Sequence, residues 1–295
     1  MVSIVRRAAL SPATWLYALV WIVAAGLLVS NGYKALVLGG VADLGFILAL
    51  SAVTVAVTPR PPAAPPGTVN RVRLYAQTGA VLVVAALIAL TATALNHAGP
   101  PQLSRIPVFS GLVLGLKTQW RLLSVPLTYV VADPVIDVVL PLVILLALGA
   151  RRQELGLQRG YRSAITLLVW AIPLVLGIIV VAVQRPTAAP SALVIFGRNF
   201  FQNGFSEEFL FRGGLQSRLE RIIGPAWGLV VTSLTFGIWH AGADAPAVGR
   251  NLGLALCLGI VAQSPSGVGL GIVFQRTRSL IAGTVIHMLF DSPGG

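Results

Sequence analysis

The stretch Asn203-Gly-Phe-Ser-Glu-Glu-Phe-Leu-Phe-Arg-Gly213 sets two adjacent glutamates, Glu207 and Glu208, in an apolar run, with Arg212 one helical turn further on. The chain holds four glutamates in all, so half of them stand side by side here. An ionisable residue inside a membrane costs several kcal/mol, on the order of 3 by insertion measurements, unless it is paired or faces a wet cavity. The stretch therefore reads as a membrane helix that carries an interior site. The composition around it agrees: 56% of residues are hydrophobic, 10% are charged and the mean hydropathy is +0.86. Soluble domains carry roughly 25% charged residues. Apolar runs recur at about the 20-residue length that crosses a bilayer. Together these features predict an all-α, polytopic transmembrane helical bundle.

Spans are predicted at 12–30, 35–58, 74–96, 133–150, 163–183, 199–216, 225–241, 251–274 and 280–292, which makes about 8–9 with boundary error. An interfacial or re-entrant segment is expected within 103–132. The first run is too long for a cleaved signal peptide and no small-residue cleavage site follows it, so it reads as a retained span. The net charge of +12 could point to nucleic acid, but the arginines cluster in short connectors. These are Arg6 and Arg7; Arg60, Arg71 and Arg73; Arg151, Arg152, Arg159 and Arg162; Arg218 and Arg221; and Arg276 and Arg278. That is the positive-inside pattern, so the expected partner is the lipid bilayer and not nucleic acid. It predicts a multi-pass protein with a cytoplasmic N-terminus. An arginine- and alanine-rich composition suggests a GC-rich bacterial genome and hence a bacterial plasma membrane. Cys257 is the single cysteine, which excludes an internal disulfide and a multi-cysteine zinc site; it reads as a buried structural thiol.

The linker Pro59-Arg-Pro-Pro-Ala-Ala-Pro-Pro-Gly67 cannot be helical. The unusual polar residues other than Asp43, Asp133 and Asp137 fall after position 200. Residues 1–150 therefore read as an N-terminal transmembrane region of unassigned role, and residues 151–295 as the membrane core that holds the polar site.

Glu208 and Arg212 are four apart, share a helix face and can pair. Glu207 points about 100° away and is left to face a cavity as base or ligand. His240 closes the run Phe236-Gly-Ile-Trp-His240, and His287 and Asp291 are four apart in the last span, where Asp291 can fix the imidazole tautomer. Each feature alone could be a satisfied structural group. Glu or His side chains on three separate spans are better explained as a site that activates water. Two chemistries stay open. Glu207 can act as general base without a metal, or Glu207, His240 and His287 can hold a Zn2+ with water in the fourth position. Asp43 reads as a buried, hydrogen-bonded residue or a misplaced span boundary rather than part of the site.

The runs Glu207-Glu208-x-x-x-Arg212, Phe236-x-x-x-His240 and His287-x-x-x-Asp291, in that order, resemble the three motifs of the CPBP family. These are the CAAX prenyl proteases and bacteriocin-processing or immunity membrane proteins, also called the Abi family. Ser206, Gly213 and the run Gly269-Leu-Gly-Ile-Val-Phe-Gln-Arg-Thr-Arg-Ser-Leu280 fit as well, so the resemblance covers roughly 195–292. It implies an all-helical intramembrane endopeptidase in which Glu207, assisted by His240, activates the attacking water. Glu208 and Arg212 would support that arrangement, Phe236 would pack beside His240, and His287 would stabilise the oxyanion with the residue four later. The family most often has asparagine where this chain has Asp291. An amide donates to an oxyanion and an ionised carboxylate only accepts, so Asp291 is expected to orient His287, bind metal or stay protonated. The chain ends four residues after Asp291, which is expected to leave the site near the membrane edge.

The resemblance thus implies hydrolysis of a peptide bond in a hydrophobic peptide or membrane-protein substrate. A signal-like peptide, a bacteriocin leader or a membrane-protein tail fits a bacterium better than a prenylated one. Two rivals use the same residues: a proton-coupled transporter, weakened by the lack of an inverted repeat, and a non-catalytic immunity or scaffold protein.

Overall fold

The computed structural model describes residues 11–61, 70–96, 133–184 and 189–292. The predicted segment within 103–132 lies outside them. Among the described residues the structure is helical and has no strand. Helix α1 spans Pro12–Ser30, α2 Lys34–Val57, α3 Arg71–Leu95 and α4 Pro134–Ala147. Helix α5 spans Ser163–Gln184, α6 Ala189–Ile223, α7 Pro225–Trp239, α8 Leu252–Thr277 and α9 Leu280–Asp291. Each predicted span coincides with one of these helices. Five are long and apolar enough to cross a bilayer, whereas α4 and α9 are shorter apolar helices.

Local chemistry explains the boundaries. Asn70, Asn251 and Ser279 cap α3, α8 and α9 through side chains that accept backbone N–H groups. Gly224, at φ +88°, turns α6 into α7, and Pro225 then starts the new helix without wasting a donor. The burial pattern is inside out relative to a soluble protein. Along α5, Leu168, Ile172, Leu176, Ile179 and Val183 are exposed, while Thr166 and Trp170 are buried. Trp170 donates to Thr54 Oγ1 at 2.8 Å and Thr166 pairs with Thr58 at 3.0 Å, tying α5 to α2. In lipid an apolar flank gains nothing from being buried, so the bundle turns its few polar side chains inward.

Small residues set how closely the helices approach. A Cβ on Gly237 of α7 would stand 2.6 Å from the Gly259 carbonyl of α8, and one on Gly267 would meet Ser233 at 3.1 Å. These contacts bring α7 against α8 and carry His240 to the bundle centre. Helix α6 is interrupted by π-helical segments at Phe200–Gly204 and Phe209–Gln216, with one α turn, Phe205–Glu208, between them. Another π segment, Gly259–Gln263, lies in α8. Such wide turns recur at functional sites.

The four arginine-rich connectors gather at one end of the bundle. Arg73 donates to the Gly149 carbonyl at 3.0 Å, and Glu154 pairs with both Arg73 and Arg221. Tyr161 N donates to the Thr277 carbonyl, Arg276 to the Thr58 carbonyl, and Arg278 pairs with Glu220. Burial works to raise the Glu154 carboxyl, but hydrogen bonds from the Arg151 backbone and Arg221, with the charges of Arg73 and Arg221, hold it below the ordinary glutamate value. A depressed folded pKa adds stability above the unfolded pKa of about 4.3 and loses it as pH falls through the folded value. Thermal unfolding in detergent should therefore show the melting temperature dropping in acid below about pH 4, with a shallower drop in Glu154→Gln. An equal drop in the variant would remove Glu154 from the account.

Candidate functional site

Four helices deliver the site. The α turn of α6 carries Glu207 and Glu208, the C-terminal end of α7 carries His240, α9 carries His287 and Asp291, and α8 supplies a backbone carbonyl. Glu208 is almost fully buried and Arg212 fully so. Arg212 Nη1 lies 3.1 Å from Glu208 Oε1, and Nη2 donates to the Gly267 carbonyl of α8 at 3.2 Å. The same Glu208 oxygen faces His287 Nδ1 at 3.2 Å. One buried carboxylate thus joins the guanidinium of its own helix to the imidazole of α9.

The approach depends on Gly283, one turn before His287. A Cβ there would stand 2.7 Å from Glu208 Oε2. Glu208 therefore does what the sequence assigned to Asp291, because α9 can come against α6 only along its glycine. With Nδ1 donating to Glu208, His287 presents Nε2 to Glu207 Oε2 and to Asp291 Oδ2, each at 3.7 Å.

Glu207 turns the other way and lines a cavity of about 460 Å³ with His240, His287, Asp291, Phe236 and Gln263. Its Oε2 stands 3.6 Å from His240 Nε2 and makes no hydrogen bond to a described residue. His240 Nδ1 is 2.8 Å from the Phe236 carbonyl, which can only accept, so Nδ1 carries the proton and neutral His240 offers Nε2 as an acceptor. Two acceptors 3.6 Å apart cannot bond to each other. A water that donates to both would satisfy them and keep its lone pairs free.

Phe236 fills the middle of the cluster. Its ring lies 4.6 Å from the His240 ring, 6.0 Å from that of His287 and 4.7 Å from the Arg212 guanidinium carbon. All six predicted site residues, Glu207, Glu208, Arg212, His240, His287 and Asp291, thus come together. Glu207, His240 and His287, the set expected for Zn2+, surround this one cavity. Among the described residues no group of three or more His, Cys, Asp or Glu side chains is arranged to hold a metal ion.

Residues 189–292 match the family model described as Rce1-like, type II CAAX prenyl endopeptidase. This segment is similar to the Rce1-like family. It contains every residue of the cluster, and the family is one of membrane endopeptidases. No curated protein and no solved structure matches the chain.

Within the Rce1-like segment, the sequence reading missed the role of Asn203. Its amide Nδ2 donates to Asp291 Oδ2 at 2.8 Å. Asn203 precedes Glu207 by one turn, so its face was readable, but nothing local names a partner 88 positions away. Asp43 corrects another expectation: it is neither buried nor at a span end. It is exposed in the interior of α2 and lines the same cavity, because the gap between α2 and α6 leaves its side chain toward the opening. Cys257 is only partly buried.

Gly283→Ala should lower the melting temperature of the detergent-solubilised protein, by an overpacking cost of about 1–3 kcal/mol. Gly26→Ala, where a Cβ meets nothing within 4 Å, should leave it unchanged or raise it. Equal behaviour of the two variants would show that the Glu208 contact does not constrain α9.

Proposed function

We propose that the protein is an intramembrane endopeptidase that hydrolyses a peptide bond of a membrane-associated or hydrophobic polypeptide, with Glu207 as general base. The observation that carries this reading is Glu207 Oε2, buried, facing the cavity and opposed by the acceptor nitrogen of His240. A water held between them loses a proton to Glu207 as its oxygen attacks the carbonyl carbon. His240 fixes that water in line. The tetrahedral oxyanion is met by donors on the α9 side of the cavity. His287 offers Nε2–H when it is an imidazolium, and Asn203 has a second amide proton beyond the one it gives to Asp291. Asp291 accepts from Asn203 and acts as an orienting group, in keeping with its carboxylate chemistry. Glu207 then returns the proton to the leaving amine. Glu208 and Arg212 hold the turn and the imidazole without touching substrate.

The described helices after residue 150 carry this chemistry, and α1 and α3 frame it. Trp21 of α1 donates to the Val261 carbonyl of α8, and Val81 and Val84 of α3 share a core with Phe209, Phe211 and Phe236. The protein works as a multi-pass component of the cell membrane.

Glu207→Gln is expected to cut hydrolysis of a hydrophobic fluorogenic peptide by about 100- to 10,000-fold, the usual contribution of a general base, while the melting temperature stays near wild type. Unchanged cleavage would sink Glu207 as the general base, whereas no cleavage by wild type or variant would favour a scaffold. Dialysis against a strong chelator is expected to leave activity intact. Loss that zinc alone restores would transfer the role of Glu207, His240 and His287 from water activation to metal binding.

A further inference from the structure

A second cavity, of about 500 Å³, shares no lining residue with the Glu207 cavity. Its size falls within the roughly 300–1,000 Å³ of sites that take one small ligand. Phe200 and Phe205 of α6 form one wall, and Leu280, Ile281 and Val285 of α9 form the other. The two phenylalanine rings stack at 5.7 Å with planes 12° apart, so the α6 wall is flat and apolar. At the arginine end the lining is completed by Gln158 and Arg159.

The connector that carries Arg159 is fixed in place. Leu280 N donates to the Gly156 carbonyl at 3.1 Å, Ser279 Oγ to the Gln158 carbonyl at 2.7 Å, and Gln158 Nε2 to the Arg278 carbonyl at 3.2 Å. These bonds pin residues 156–158 to the turn between α8 and α9 and hold Arg159 beside the start of α9. Other arginines of this end are committed to protein groups: Arg221 to Glu154, Arg278 to Glu220 and Arg218 to Gln77. Arg159 is exposed and pairs with no carboxylate among the described residues. The groove thus joins an apolar trough to one uncommitted cation.

We propose that this groove holds one acyl chain of an anionic phospholipid, with the lipid phosphate on Arg159. Basic pockets between membrane helices recognise anionic headgroups in this way. An acyl chain gains little by leaving the bilayer for another apolar surface, so the headgroup pairing decides which lipid stays. A free anion would leave the apolar walls unfilled, and a neutral lipid would leave Arg159 unpaired. The lipid lies against the frame of the Glu207 site. Phe205 opens the turn that carries both glutamates, and Thr284, which also lines the groove, follows Gly283, the residue that clears space for Glu208. The bound chain therefore braces α6 against α9, the two helices that Glu208 and His287 join.

Native mass spectrometry of the full chain in detergent tests this, with phosphatidylglycerol and phosphatidylcholine of the same acyl chains as probes. Wild type should retain one phosphatidylglycerol and little phosphatidylcholine. Arg159→Gln should weaken retention about fivefold, the worth of one arginine against an anionic headgroup. Ile281→Trp, which fills the groove, should displace the lipid. Arg152→Gln lies in the same connector but outside the groove and should bind as wild type does. No retained lipid, or equal retention of the two lipids, overturns the proposal. So does full retention in either Arg159→Gln or Ile281→Trp, and so does equal loss in Arg152→Gln and Arg159→Gln, which would reduce the effect to general surface charge. Inorganic phosphate that competes the lipid away would leave only an anion on Arg159 and overturn the acyl-chain assignment. Arg159 and Ile281 are both exposed, so the melting temperature of each variant without lipid should match wild type, and if one fails to fold the other decides. Retention needs no turnover, so its failure leaves the role of Glu207 standing, and an active Glu207→Gln leaves the lipid site standing.

Discussion

The Glu208 carboxylate is the constraint on which the rest of the structure depends. It is almost entirely removed from solvent, and it joins Arg212, one turn along its own helix, to His287 on α9. Removing one partner of such a pair leaves an uncompensated buried charge, which costs about 3–5 kcal/mol. The surrounding chain is shaped to avoid that. Gly283 makes room for the carboxylate, the Gly267 carbonyl takes a second guanidinium proton, and Phe236 lies against the guanidinium. With Glu208 committed to this network, Glu207 is the carboxylate left for the cavity.

This division of work between neighbours rests on backbone geometry. Consecutive residues on a helix point about 100° apart, so one can be structural while the next is open to water. The π segments on either side of the glutamate turn widen the helix where the two directions diverge. On the opposing side, the bare backbone contact of Gly237 with Gly259 lets α7 reach far enough inward for His240 to meet Glu207. A peptide-hydrolysing site in a bilayer needs water in a place with apolar walls. The cavity meets both needs because its floor is aromatic and aliphatic while its opening is polar.

Much of this was legible in the sequence because the membrane imposes simple rules. Apolar length marks spans, arginine marks connectors, and spacings of four mark shared faces. The helices, the gathering of the connectors at one end and the Glu208–Arg212 pair follow from those rules, and the motif order from 207 to 291 was enough to show the segment's family resemblance. The harder calls were those about partners. His287 was read with Asp291, its neighbour by spacing, yet its Nδ1 meets Glu208, and Asp291 is held by Asn203. Asp43 was read as buried or misplaced, yet it stands exposed at the mouth of the cavity.

The sequence by itself determined which segments are helical, which end of each carries charge and which residues are too polar to sit in lipid unpaired. Those are properties of one helix in a solvent, and hydropathy and periodicity report them directly. Only the tertiary structure decided which glutamate pairs and which one waits, and which residue fixes each imidazole. These depend on how closely two helices approach, and that distance is set by glycines such as Gly283 and Gly237. Their role is to be absent as side chains, and nothing in a glycine's own neighbourhood names the residue that will fill the space.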